Sequence, residues 1–260
     1  VGGRGTADLQ ARKWSPSPRT ASGLSTHPNP EAARWRSGTV PDPVILLHGL
    51  GRTGLSMVPL ARALRRAGFA PEVVDYPSRK RPIADLVETV LAPRVEARLG
   101  AGAERVHFVT HSLGGVLARA LAAARFDAGH PLPEGSRAVM LAPPHAGSEV
   151  ADALRHRQPF KAALGPVLQE LGTEAESVPN RLGDVRGIEA GVLIGTRRLL
   201  PFDRYFDGPN DGNVSVASAL APDGLADTGV VRPSHALIMV SPRVIRLTLR
   251  FLRTGSFGDG

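Results

Sequence analysis

Ser112 stands between a β-branched and aromatic run, Val106 to Thr110, and a helical stretch, Val116 to Arg125. A serine on such a strand-to-helix turn is a candidate nucleophile. The tight backbone lifts its Oγ above the sheet, and the next N–H faces the oxygen that gains charge when a carbonyl is attacked. The helix adds the positive end of its dipole. Residues two before and two after the serine must be small, because strand and helix nearly touch there. Gly114 meets that need, whereas Thr110 stands where glycine is usual and is expected to crowd the turn. On these residues alone, a serine capping a helix explains the pattern as well as catalysis does.

Serine is a weak nucleophile at neutral pH, so it needs an imidazole in reach and a carboxylate to fix that imidazole's tautomer. Asp211 lies in the cluster Gly208, Pro209, Asn210, Asp211, Gly212, whose composition by itself is that of a turn. Asp203, Asp207 and Asp227 are its rivals. His235 follows a short apolar run and precedes a helical one. His27 lies in the N-terminal leader, His107 points from a strand, His111 and His145 flank loops, and His130 and His156 sit in polar stretches.

These residues need elements to hold them. From Pro43 onward, buried-strand runs alternate with amphipathic stretches, the pattern of a parallel sheet covered on both faces. Strands are predicted over 44–47, 71–76, 106–110, 138–142, 191–195 and 229–232. Met57, Leu60, Ala61 and Leu64 share one helical face that Gly68 ends. Ile83 to Val95 suggests a packed helix with a kink or break at Pro93. Between Phe160 and Leu171, Gly165 and Pro166 divide two short helices, and 244–252 is predicted to be the closing helix.

Three stretches together resemble the α/β-hydrolase superfamily, most closely its bacterial serine lipases and esterases. They are Val44 to Gly51, a strand running into a His-Gly loop, then the turn around Ser112, and then Asp211 to Val214 followed by His235. The resemblance implies an α/β fold with a mostly parallel central sheet, and a Ser112, Asp211, His235 triad in the family's chain order. It further implies an oxyanion hole built from the N–H groups of Leu50 and Leu113, with His48, Gly49 and Gly114 supporting the loops. Pro143 to Ser148 resembles the segment of bacterial lipases after which a cap is often inserted, so residues 146–190 are a candidate cap or lid. Ordinary helices covering the sheet are the equal alternative.

The implied activity is hydrolysis of a small-molecule or lipid carboxylic ester through an acyl-enzyme, with no metal or organic cofactor required. An acyltransferase or amidase could share the triad, and an inactive hydrolase domain could bind a lipid or protein instead. Esterase and lipase are not separated by the residues, nor is acyl-chain length.

Composition narrows the remaining classes. The chain of 260 residues suits one domain, with 42% hydrophobic and 22% charged residues. A formal charge of +8 does not signal nucleic acid here, because the basic residues are scattered. Arginine dominates, lysine occurring only at 13, 80 and 161, a bias that fits a GC-rich genome; weak attraction to anionic lipid interfaces is the alternative. Cysteine is absent, which excludes disulfides, thiolate metal sites and a cysteine nucleophile. No apolar run is long enough to span a membrane, and residues 1–40 show no signal-peptide core. They are expected to form an extended or disordered leader, with Trp14 or Trp35 as possible anchors, ahead of one domain over 41–260. Compartment and oligomeric state stay open.

Overall fold

The computed structural model describes residues 41–199 and 202–258. The leader expected over 1–40, with Trp14 and Trp35, lies outside them. Six strands, β1 (Pro43–Leu47), β2 (Ala70–Val74), β3 (His107–His111), β4 (Arg137–Leu141), β5 (Glu189–Gly195) and β6 (Leu225–Val231), form one sheet. Their spatial order is β2-β1-β3-β4-β5-β6, and every neighbouring pair is parallel. β1 and β3 are buried along their whole length because helices cover both faces. From β1 the chain turns to β2 on one side, then crosses to β3 on the other. That reversal opens a crevice at the carboxyl ends of β1 and β3, where open α/β sheets bind their ligands.

β1, β3 and β4 lie within one residue of the predicted ranges and β5 starts two residues early, while β2 and β6 depart for reasons the structure shows. β2 ends at Val74, two residues early, because Asp75 and Tyr76 turn to bond the loop after β1. β6 starts at Leu225, well before the predicted Gly229. It is an edge strand whose residues alternate in burial, so Ala226 and Thr228 face outward and the segment carries no continuous apolar run.

Helix α1 (Val58–Arg66) buries Leu60, Ala61 and Leu64. Helices α2 (Ile83–Leu86) and α3 (Ala92–Gly100) are joined by a π-helical turn over Val87–Leu91. Pro93 lacks the N–H that would serve an α-helical turn here and its ring needs room, so the widened turn replaces the expected break. Helix α4 (Leu113–Asp127) runs from the serine turn back along the sheet. Then come α5 (Glu149–Arg155), α6 (Gln158–Leu164), α7 (Pro166–Glu170) and α8 (Val178–Arg181), with Gly165 and Pro166 separating α6 from α7. The short α9 (Val216–Ala219) precedes β6, and α10 (Pro242–Thr254) closes the chain, burying Val244, Thr248, Phe251 and Leu252.

The turn around Ser112 depends on two glycines. A Cβ on Gly114 would lie 2.7 Å from the Leu47 carbonyl oxygen, so α4 can reach the end of β1 only with hydrogen there. A Cβ on Gly115 would lie 2.8 Å from Pro143 Cβ and 3.4 Å from Thr110 Oγ1. The crowding expected from Thr110 is thus relieved by Gly115, which leaves room for a buried threonine in place of the usual glycine.

A buried arginine ties α4 to the segment after β4. Arg119 Nη1 donates to His145 Nδ1 and to the His145 carbonyl, each at 3.1 Å, and Nη2 donates to the Gly183 carbonyl beyond α8. Burial holds the His145 imidazole well below the usual histidine range, and the Arg119 charge reinforces this.

Gly114→Ala is expected to lower the unfolding free energy by about 1–3 kcal/mol, because the clash is with backbone rather than a movable side chain; urea unfolding at pH 7.5 checks it. The same measurement repeated at pH 5.5 tests His145. The unfolded chain protonates this imidazole as pH falls below about 6.5 while the folded chain does not, so its stabilisation is complete above that value and lost below it. We expect a loss on the order of 1 kcal/mol from this group, and a smaller pH dependence in His145→Gln.

Candidate active site

Ser112 sits at φ 53 and ψ −120, a conformation that few non-glycine residues adopt. It is held from both sides, its N–H donating to Leu141 O at 2.8 Å and its carbonyl accepting from Gly115 at 2.9 Å. Leu113 opens α4, so its N–H belongs to the helix end that has no intrahelical acceptor. The loop after β1 lies against this turn, since a Cβ on Gly49 would come within 2.8 Å of His111 Nδ1 and 3.1 Å of Ser112 Cβ. The Leu50 N–H makes no hydrogen bond among the described residues.

His48 fixes that loop while buried and stacked on Tyr76 at 4.1 Å between ring centroids. Its Nδ1–H donates to Gly49 O at 2.9 Å, and Nε2 accepts from the Tyr76 N–H at 3.3 Å. Burial lowers its pKa, although Asp75 Oδ1 lies 3.2 Å from Nε2. The imidazole therefore serves as a neutral two-ended connector.

Asp211 and His235 are brought together. Asp211 Oδ2 accepts from His235 Nδ1 at 2.7 Å, and the His235 N–H donates to Asp211 O at 3.0 Å. Asp211 Oδ1 accepts from the N–H groups of Asn213 at 3.0 Å and Val214 at 2.9 Å. The turn composition of 208–212 and a carboxylate partner for histidine are thus one arrangement, with one oxygen closing the turn and the other facing His235. Glycine at 195 is required, because a Cβ there would lie 1.9 Å from Pro233 O and 3.3 Å from Asp211 Cβ. Among the rival acids, Asp207 is exposed, and Asp227 accepts from Ser256 Oγ and the Phe257 N–H to hold the C-terminal segment.

Ser112 and His235 line one cavity of about 490 Å³. Ser112 Oγ and His235 Nε2 have no hydrogen-bond partner among the described residues. Such contacts are often open without substrate and tighten when it binds. The cavity roof comes from α5 to α7, through Leu154, Phe160, Leu164 and Leu168, so the segment 146–190 contributes to the site. Ser148, which caps α5, donates to Asn213 O at 2.8 Å and joins this roof to the Asp211 loop.

His111 ends β3 beside the turn, as its place in the sequence suggests, and is fully buried. Its Nε2–H donates to His235 O at 2.9 Å, and the two rings lie 4.7 Å apart. Burial, then the nearby His235 and Arg52, push its pKa well below the usual histidine range. A neutral His111 therefore anchors the His235 loop to the sheet. Its position directly before Ser112 is the sequence signal that could have found it.

Among the described residues, no group of three or more His, Asp or Glu side chains is placed to hold a metal ion, and no helix is long and apolar enough to cross a membrane.

The model of the alpha/beta hydrolase family matches residues 44–246. Solved structures of like fold include the mature form of a lipase, BlEst2, from Bacillus licheniformis, with a TM-score of 0.66 at 19% identity, covering 88% of this chain and 96% of that one. The chain spans 52% of the same lipase in its propeptide form. A metagenomic carboxyl esterase, MGS0156, aligns with a TM-score of 0.58 at 20% identity over 88% of this chain and 71% of its own. The thioesterase RedJ from the prodiginine pathway of Streptomyces coelicolor gives 0.52 at 16% identity over 92% and 97%. No curated protein matches the chain. The matched family, the parallel sheet and the serine turn agree, and the chain belongs to the alpha/beta hydrolase family.

Proposed function

We propose that this hydrolase cleaves carboxylic esters through an acyl-enzyme on Ser112. The observation that carries the reading is the buried Asp211–His235 hydrogen bond of 2.7 Å at the rim of the cavity that also exposes Ser112. Ser112 Oγ attacks the ester carbonyl and His235 Nε2 takes its proton, while the N–H groups of Leu50 and Leu113 hold the oxyanion. Collapse expels the alcohol, which leaves with the proton from His235. Water, deprotonated by His235, then attacks the acyl-serine, and the acid departs as the proton returns to Ser112. Asp211 stays ionised and keeps Nδ1 of His235 protonated. No step calls for a metal or organic cofactor. The acyl chain lies under α5 to α7, where the cavity is apolar.

Hydrolysis of p-nitrophenyl acetate, butyrate and octanoate tests the reading. Ser112→Ala is expected to lose nearly all activity, on the order of a millionfold, and Asp211→Asn about ten-thousandfold. Equal activity in wild type and Ser112→Ala would sink the proposal. Leu168, buried on α7, points a side chain at the cavity. Leu168→Trp is expected to cut kcat/KM for octanoate at least about tenfold relative to acetate, as several methylenes lose their space.

A further inference from the structure

Among the described residues the cavity lining contains one charged side chain, Arg52, three residues beyond Gly49 on the loop after β1. Its other lining residues are apolar, except for Ser112, Ser148, Asn213, His111 and His235. Arg52 Nη2 donates to Ala236 O at 3.3 Å, the carbonyl next to His235. A guanidinium has five N–H donors in a planar fork, so most of its capacity is unused. No carboxylate among the described residues pairs with it. Elsewhere, half-buried arginines find acids: Arg98 meets Glu72 at 2.8 Å, Arg137 meets Glu189 at 2.6 Å, and Arg186 meets Asp127 at 2.7 Å. Arg119, which lacks an acid, spends its donors on two carbonyls and an imidazole.

A half-buried cation without a counter-ion carries a desolvation cost that an arriving anion offsets. Burial alone lowers the Arg52 pKa, the direction an unpaired guanidinium takes. A second cation stands at the edge. Arg79, exposed on the loop after β2, donates to the carbonyl of Ala163, a residue of the cavity wall, and has no carboxylate partner among the described residues either.

We infer that the ester hydrolysed here carries an anionic group, phosphate or carboxylate, in its alcohol part, and that Arg52 is the residue that binds it. The inference rests on the ester-hydrolase reading above. Arg52 is bonded beside His235, the residue that protonates the departing alcohol, while the apolar roof takes the acyl chain. A forked donor suits two oxygens of either anion.

The test uses three octanoyl esters of matched acyl chain: 1-octanoylglycerol, which is neutral, 1-octanoylglycerol 3-phosphate, and O-octanoyl glycolate, which carries a carboxylate. Release of octanoate gives kcat/KM for each. Wild type is expected to prefer at least one anionic ester over the neutral one by about tenfold or more, and the favoured arm identifies phosphate or carboxylate. Arg52→Gln should bring that ratio close to one, and Arg52→Lys should restore part of it. An unchanged ratio in Arg52→Gln, with all three rates lowered alike, would make Arg52 only a brace for the His235 loop and overturn the inference. So would a wild type without preference for either anion. If no ester is hydrolysed in a Ser112-dependent way, the hydrolase reading fails by itself. Calorimetric titration of octyl phosphate and of octyl hydrogen succinate into Ser112→Ala and Ser112→Ala/Arg52→Gln then decides the anion site, with binding lost in the double variant expected and equal binding overturning it.

Discussion

The approach of α4 to the end of β1 governs this site. At Gly114 the helix comes so near the Leu47 carbonyl that only a hydrogen atom fits between them. This contact lets the backbone turn through the positive φ of Ser112 and directs the first helical N–H groups at the mouth of the sheet. The cost of such a backbone is about 1–3 kcal/mol. It is met by continuing the ladder of the sheet past its strands. Ser112 bonds across to Leu141, and Ala142, the other non-glycine residue of positive φ among those described, bonds across to Leu193. β3, β4 and β5 thus support two strained residues in succession.

Around that contact, three buried histidines act as connectors rather than charges. His48 joins the loop after β1 to the turn after β2, His111 joins β3 to the His235 loop, and His145 joins the segment after β4 to α4. In each, burial favours the neutral ring, which offers one donor and one acceptor. His235 differs in having a carboxylate on one ring nitrogen and the cavity at the other, an arrangement suited to passing a proton.

Much of this was legible in the chain. Val44 to Leu47 and Val106 to Thr110 are continuous apolar or β-branched runs because those strands are buried on both faces, and their ends mark where Ser112 and the His48 loop meet. The reach of β6 was not legible, because an edge strand with one solvated face has a mixed composition. The π-helical turn before Pro93 was hidden for another reason: proline announces that a helix is disturbed, not how the backbone absorbs it. Thr110 misled because its neighbour in space, Gly115, is five residues away and looks like ordinary helix. Arg52 is one arginine among many in the sequence. Its meaning depends on which carboxylates it does not meet, which only three-dimensional packing decides.

The roof of the cavity is bonded to the rest of the domain at both ends and along its length, where the Ala163 carbonyl accepts from Arg79 and Glu170 Oε2 accepts from the Ile83 N–H. It is entered at Ser148, bonded to the Asp211 loop, and left near Gly183, bonded to Arg119. The residues between them line much of the cavity, yet none supplies a group to the Asp211–His235 pair or to the turn at Ser112. Substitutions in α5 to α7 can therefore reshape the cavity while leaving the Asp211–His235 pair and the turn at Ser112 unchanged. Variation among descendants should gather in that segment, and a grafted roof keeping these bonds would be a practical route to new selectivity.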